Sequence, residues 1–172
     1  MRKLILPLIA GFIFISESLF VNIFLGDLLI SKNIFVPHFI MIFLMFLAVY
    51  GTRRTALVYA LILGIMFDVV YTEVLGIYLF AFPVITFLFS SFMKVLQNNI
   101  LIVSIMTLLS IAILEVTIFQ MNLIIGVASM SYHEFATVRL LPTLALNAAA
   151  VVIFSYPLKK QIEKLQLEGL RD

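Results

Sequence analysis

Cysteine is absent from the 172 residues, which excludes disulfides and thiolate chemistry. Charge is scarce: Asp, Glu, Lys and Arg supply 12% of the chain, against about 25% in ordinary soluble domains. No Gly-rich loop precedes Lys-Ser or Lys-Thr, and no G-x-S-x-G elbow occurs. The two histidines, His38 and His133, lie far apart and lack H-E-x-x-H spacing, so no metal site is expected. No nucleophile–base set is legible. The chain is expected not to be an enzyme and to need no cofactor. Internal repeats and low-complexity tracts are missing as well.

What is present in excess is apolar surface. Hydrophobic residues make up 64% of the chain and mean hydropathy is +1.22. Such a sequence has too little polar surface to cover itself in water, so an all-α integral membrane protein is expected. The net charge of +2 could suggest nucleic acid. The basic residues, however, cluster at the ends of apolar runs rather than along one face, as membrane topology demands. Met1-Arg2-Lys3 opens an apolar run that continues to Phe24 without a small-x-small cleavage site, which predicts a retained first span.

Breaks in hydropathy predict spans over 4–24, 34–50, 55–71, 75–92, 99–121 and 138–157. The division between the third and fourth rests on Thr72, Glu73 and Val74 alone. Charge supports it. With six spans and the N-terminus inside, Arg2, Lys3, Arg53, Arg54, Lys94, Lys159, Lys160, Lys164 and Arg171 are cytoplasmic, and only Lys32 and Arg139 lie outside. A transmembrane domain over 1–157 is then followed by a basic tail over 158–172, whose Leu158, Ile162 and Leu165 recur at helical spacing. That tail reads as an anchor snorkelling to anionic headgroups, or else as a docking helix for a cytoplasmic partner. Between spans five and six, Ser131 and Glu134 form a capping-box pattern, predicting a helix from about Tyr132 that bends near Pro142, after a short interfacial or re-entrant stretch from Leu123 to Met130.

Three acids fall within the spans: Glu17, Asp68 and Glu115. At 1.5 Å per residue each sits roughly 20 Å from the cytoplasmic end of its helix. A carboxylate there needs a proton, a partner or water. His38 and Arg139 reach the same level from neighbouring spans, which predicts an outward polar cluster of Glu17, His38, Asp68, Glu115 and Arg139. It serves either to fix helix register or to line a cavity or partner contact. Ala56, Ala60, Gly64 and Asp68 recur every four residues, a seam along which another helix can approach. Packing within the chain is favoured there over contact with another protein. Asn147 must face the bundle to find a hydrogen-bond partner. Ser104, Thr107 and Ser110 are expected to pack or to bond their own helix backbone.

The stretch 61–78, with Gly64-Ile-Met-Phe-Asp68 followed by Gly76, resembles the rod shape-determining MreD family, in which a glycine-bearing helix ends in Asp and a second Gly follows. Pro37 opens span two where the family often has Pro-Asp; His38 stands here in place of the acid. Arg53 and Arg54 occupy the expected basic turn, and Pro142, Asn147 and Pro157-Leu158 resemble the family's closing pattern. The likeness covers nearly the whole chain. It implies a non-catalytic role in bacterial cell elongation at the cytoplasmic membrane, with MreC as direct partner. MreB, RodA and a class B penicillin-binding protein would be members of the same complex. It also implies a fold similar to the substrate-binding S components of energy-coupling-factor transporters, hence the alternative of an outward-facing module for a small molecule or lipid. Those components carry an Ala-xxx-Ala motif on their first helix. Here Ala10 is followed four residues later by Phe14, and Ala56-xxx-Ala60 lies on span three instead, which counts against transport.

Overall fold

Apolar on every side, the helix α2 (Phe39–Tyr50) has no face suited to a solvent boundary, and it forms the centre of the molecule, with residues 40–47 all buried. In the computed structural model, which describes residues 4–28, 33–72, 75–93, 96, 99–127 and 129–169 (side chains of 21–28 and 168–169 excepted), α2 packs against each of the other long helices. These are α1 (Ile5–Leu28), α3 (Arg53–Tyr71), α4 (Ile77–Phe92), α5 (Ile100–Ile125) and α6 (Leu141–Gly169). A single turn, Tyr132–Glu134, and a π-helix, Phe135–Leu140, lead into α6. Arg2, Lys3, Lys32, Glu73, Val74, Lys94 and Arg171, which entered the charge reading, lie outside the described residues.

Among the described residues, three helical runs are long and apolar enough to cross a membrane: Arg53–Tyr71, Ile100–Ile125 and Tyr132–Leu167. The outward faces of the perimeter helices carry large apolar side chains, among them Leu8, Val69, Phe80, Ile105, Ile124 and Val152. Water would penalise such a surface and lipid would not.

The α3–α4 pair is an antiparallel hairpin, closed at both ends. Thr52 caps α3 by accepting from the Thr55 N–H at 3.2 Å. At that end Arg53 lies 3.9 Å over the Phe87 ring and donates through Nη2 to the Phe87 carbonyl at 3.1 Å and to Ser91 Oγ at 2.6 Å. Midway, a Cβ on Gly64 would stand 2.7 Å from the Tyr78 carbonyl oxygen and 2.9 Å from Leu79 Cα, so only glycine allows the two backbones this close. Ala56 and Ala60 are completely buried on the same face.

Three sequence expectations need correction. Span two is not helical from residue 34; residues 33–38 belong to no helix and α2 begins at Phe39. The stretch from Leu123 is not re-entrant, because α5 continues to Ile125 before Gly126 ends it in a left-handed conformation. The irregularity expected at Pro142 lies one turn earlier, in the π-helix. Past Pro157, α6 runs on to Gly169, so the tail is helical as its spacing predicts, and it folds against the end of α2. Ile162 is buried there, with Cγ2 about 3.3 Å from where a Cβ of Gly51 would be, and the Lys159 ammonium sits 5.1 Å from the Tyr50 ring centroid.

Candidate functional site

The polar groups inside this apolar chain are arranged around the starts of helices. At a helix N-terminus the first backbone N–H groups have no intrahelical acceptor, and a negative group placed there satisfies them and complements the helix dipole. Glu17 on α1 does this for α2: its Oε2 accepts from the Ile40 N–H at 2.9 Å. Asp68 on α3 does it for α4, accepting from the N–H groups of Gly76 and Leu79 through Oδ2 (both 2.9 Å) and from Tyr78 through Oδ1 (3.0 Å). Gly76 enters α4 at φ 114°, a left-handed conformation that turns the chain so that these N–H groups converge on one carboxylate.

Glu115 on α5 takes side-chain partners instead. Its Oε1 lies 2.6 Å from His38 Nε2, and its Oε2 accepts from Arg139 Nε at 2.7 Å. Arg139 Nη2 makes a longer contact with Oε1 at 3.4 Å. Glu115 is fully buried and His38 nearly so, while Arg139 is 26% exposed and is the member through which the group meets the surface.

The extended segment 33–38 is held by α6 in a strand-like pattern. Alternate residues along an extended chain face the same side, and here residues 34, 36 and 38 face α6. The Ile34 N–H donates to the Val138 carbonyl at 2.7 Å, and the Val36 N–H to Thr143 Oγ1 at 3.1 Å. Asn147 accepts from the His38 N–H at 2.8 Å and donates to the Val36 carbonyl at 2.8 Å and the Thr143 carbonyl at 2.8 Å. Two prolines fit this pattern. Pro142 brings no N–H to the Val138 carbonyl one turn back, leaving it for Ile34, and Pro37 falls at an odd position, where it offers no donor to be satisfied away from α6.

The five residues expected in one outward cluster therefore divide. Glu17, His38, Glu115 and Arg139 belong together, with His38 within electrostatic reach of Glu17. Asp68 serves the α3–α4 hairpin separately. Between the two sets stands Tyr78, a buried residue that the sequence reading did not single out; its hydroxyl is within electrostatic reach of Glu115, Arg139, Glu17 and Asp68. Its position two residues after Gly76 was the available signal. Thr143 was also missed, although it precedes Asn147 by four residues and so shares its helix face. The face formed by Ala56, Ala60, Gly64 and Asp68 is covered by the chain's own helices. Ser104 and Thr107 donate to the backbone four residues earlier, and Ser110 to the Thr107 carbonyl. Ser131 Oγ accepts from the Glu134 N–H at 3.2 Å, so the expected cap starts a helix at Tyr132. His133 is exposed. No group of three or more metal-ligating side chains occurs among the described residues.

Comparison with known proteins bears directly on this arrangement. A family model described as rod shape-determining protein MreD matches residues 2–165. The protein named rod shape-determining protein MreD of Bacillus subtilis (strain 168) is 30% identical over 172 residues, covering 100% of this chain and 99% of that protein. No solved structure matches the chain.

Proposed function

Because this chain belongs to the MreD family of rod shape-determining proteins, we propose that it is a non-enzymatic membrane scaffold of the bacterial cell-elongation machinery. In this reading it binds MreC directly and contributes to lateral peptidoglycan synthesis in a complex that includes MreB, RodA and a class B penicillin-binding protein. The observation that carries the reading is the use made of the buried acids. Each of Glu17, Asp68 and Glu115 is engaged in bonds that fix where another segment begins, so the polar groups build a rigid body rather than a reactive centre. What such a body offers a partner is its apolar perimeter.

The same geometry supports six crossings of the cytoplasmic membrane with both tails inside. At 12 residues α2 is only about 18 Å long, short of the roughly 30 Å hydrocarbon core. The extended residues 33–38 add about 20 Å and complete the crossing. Extended backbone at that depth is tolerable only when protein covers it, as α6 does here. Arg53, Arg54, Lys159, Lys160 and Lys164 then share the inner side. Since the small-residue face of α3 is buried within the chain, the MreC contact belongs on exposed positions instead. Photo-crosslinkers at Val58, Val84, Ile105 and Ile153, one on each of four helices, should give MreC adducts from one face. Full restoration of rod shape by a chain that gives no adduct at any position and does not co-purify with MreC would refute the scaffold role.

A second reading has one observation behind it. A cavity of about 360 Å³ beside Arg139, lined by Phe119, Asn122, Ser129 and Glu134 among others, lies toward the outer ends of α5 and α6 and could admit a small polar ligand or lipid headgroup, as in a module of transporter S-component type. Of the acids and bases in the buried core only Arg139 reaches it. Native mass spectrometry of gently purified protein separates the readings: a retained small ligand favours the second, a bare stoichiometric complex with MreC the first.

A further inference from the structure

We propose that the inner-half groove between α1, α2 and α6 binds one acyl chain of an anionic phospholipid, whose phosphate is held by the lysines of α6. The groove exists because α1 and α6 both pack on α2 without packing closely on each other. It encloses about 340 Å³ and is lined chiefly by apolar groups, among them Ile9 and Ile13 of α1, Ile42 of α2, and Phe154 and Leu158 of α6. Its deep end is closed by Phe39, set edge-on to Phe154 at 5.7 Å between ring centroids. Its other end opens beside Gln161, where α6 leaves the apolar region.

Size decides what fits. From Ile9 to Ser16 the groove runs roughly 10 Å along α1. A hydrocarbon chain is thin enough to enter, and an apolar cavity of this volume with a few polar groups at its rim is an ordinary small-ligand site. Charge decides which lipid. Lys160 and Lys164 are exposed, one on each side of Gln161, whereas Lys159 is partly occupied by the Tyr50 ring and by Glu163 at 3.9 Å. Exposed ammonium groups within one helical turn of Gln161 match a negatively charged headgroup above an acyl chain, each contributing about five-fold in affinity near a membrane surface.

The site rests on the inward orientation of α6 proposed above, and the two are tested separately. The full chain, purified in mild detergent, is titrated with phosphatidylglycerol or phosphatidylcholine and read by native mass spectrometry. One phosphatidylglycerol should be retained, at least about five-fold more tightly than phosphatidylcholine. Lys160→Gln should reduce that preference about five-fold and leave phosphatidylcholine unchanged. Ile13→Trp, which fills the slot, should release both lipids. Ile9→Trp, nearer the mouth, repeats the test should the first variant fold poorly. Equal retention of the two lipids by the unmodified chain, or undiminished retention by a folded plugged variant, would overturn the site, as would a co-purified peptide in place of lipid. Because the chain has no cysteine, Gln166→Cys provides a unique label for sidedness. Labelling from the outside alone would overturn the orientation without touching the lipid measurement.

Discussion

The α3–α4 hairpin and the junction of residues 33–38 with α5 and α6 each bury one carboxylate, Asp68 and Glu115, and use it differently. Asp68 faces neutral N–H groups contributed by the turn that follows its own helix, within 11 residues of it. Glu115 faces a guanidinium and an imidazole from segments 24 and 77 residues away. The first is a local device that needs acceptor oxygens more than it needs charge. The second joins three separate parts of the chain, and its charge is what makes the burial of Arg139 tolerable.

If that distinction holds, removing charge at unchanged size should hurt the junction far more than the hairpin. Glu115→Gln leaves Arg139 without its counter-ion and should cost about 3 kcal/mol, the lower end for a broken buried pair because Arg139 is partly exposed. Thermal unfolding of the purified protein measures this, and a loss below about 1 kcal/mol would mean that water reaches the guanidinium. Gly64→Ala forces a methyl against the Tyr78 and Leu79 backbone and should cost about 1–3 kcal/mol by the same assay. An unchanged midpoint there would mean that the hairpin opens freely. Asn147→Leu removes three hydrogen bonds at roughly 0.6 kcal/mol each and should raise amide exchange selectively at residues 34, 36 and 38. Uniform exchange would detach Asn147 from that segment. Asp68→Asn keeps one acceptor oxygen and should cost about 1 kcal/mol, within the range for weakening a helix cap. A cost equal to that of Glu115→Gln would erase the contrast between the two regions. Smallest is Lys159→Ala, at about 0.5 kcal/mol for a partly exposed pair and a distant ring contact.

Much of this was legible in the sequence because hydrocarbon makes polar residues conspicuous. Glu17, Asp68 and Glu115 stand out against apolar runs, and depth placed His38 and Arg139 at the level of these acids without showing which acid they meet. Depth could not show that Asp68 has no side-chain counter-ion among the described residues, since its closest partners are backbone N–H groups and carry no sequence signature beyond Gly76. The extended segment was hidden for a related reason. Residues 34–36 are as apolar as the helix they precede, and hydropathy measures transfer from water without reporting whether the backbone is coiled. Pro37 was read as the opening of a helix, although a proline there equally suits an extended chain. Beyond Pro157 the helical spacing was legible: Ile162 and Leu158 find apolar cover beside Gly51 and the end of α2, and that packing carries the helix past the missing hydrogen bond.

Pro142 and the carbonyl it releases bear on how the chain is made. The backbone of residues 34–38 is completed by groups 104 to 111 residues further along, at Val138, Thr143 and Asn147. At ordinary ribosomal rates of about 5–20 residues per second, those partners emerge roughly 5–20 s after the segment itself. During that interval the nascent chain carries unsatisfied peptide groups that lipid cannot accommodate. In the six-crossing arrangement proposed above, the segment 33–50 therefore waits, sheltered by the insertion machinery or at the interface, until α6 arrives to close it.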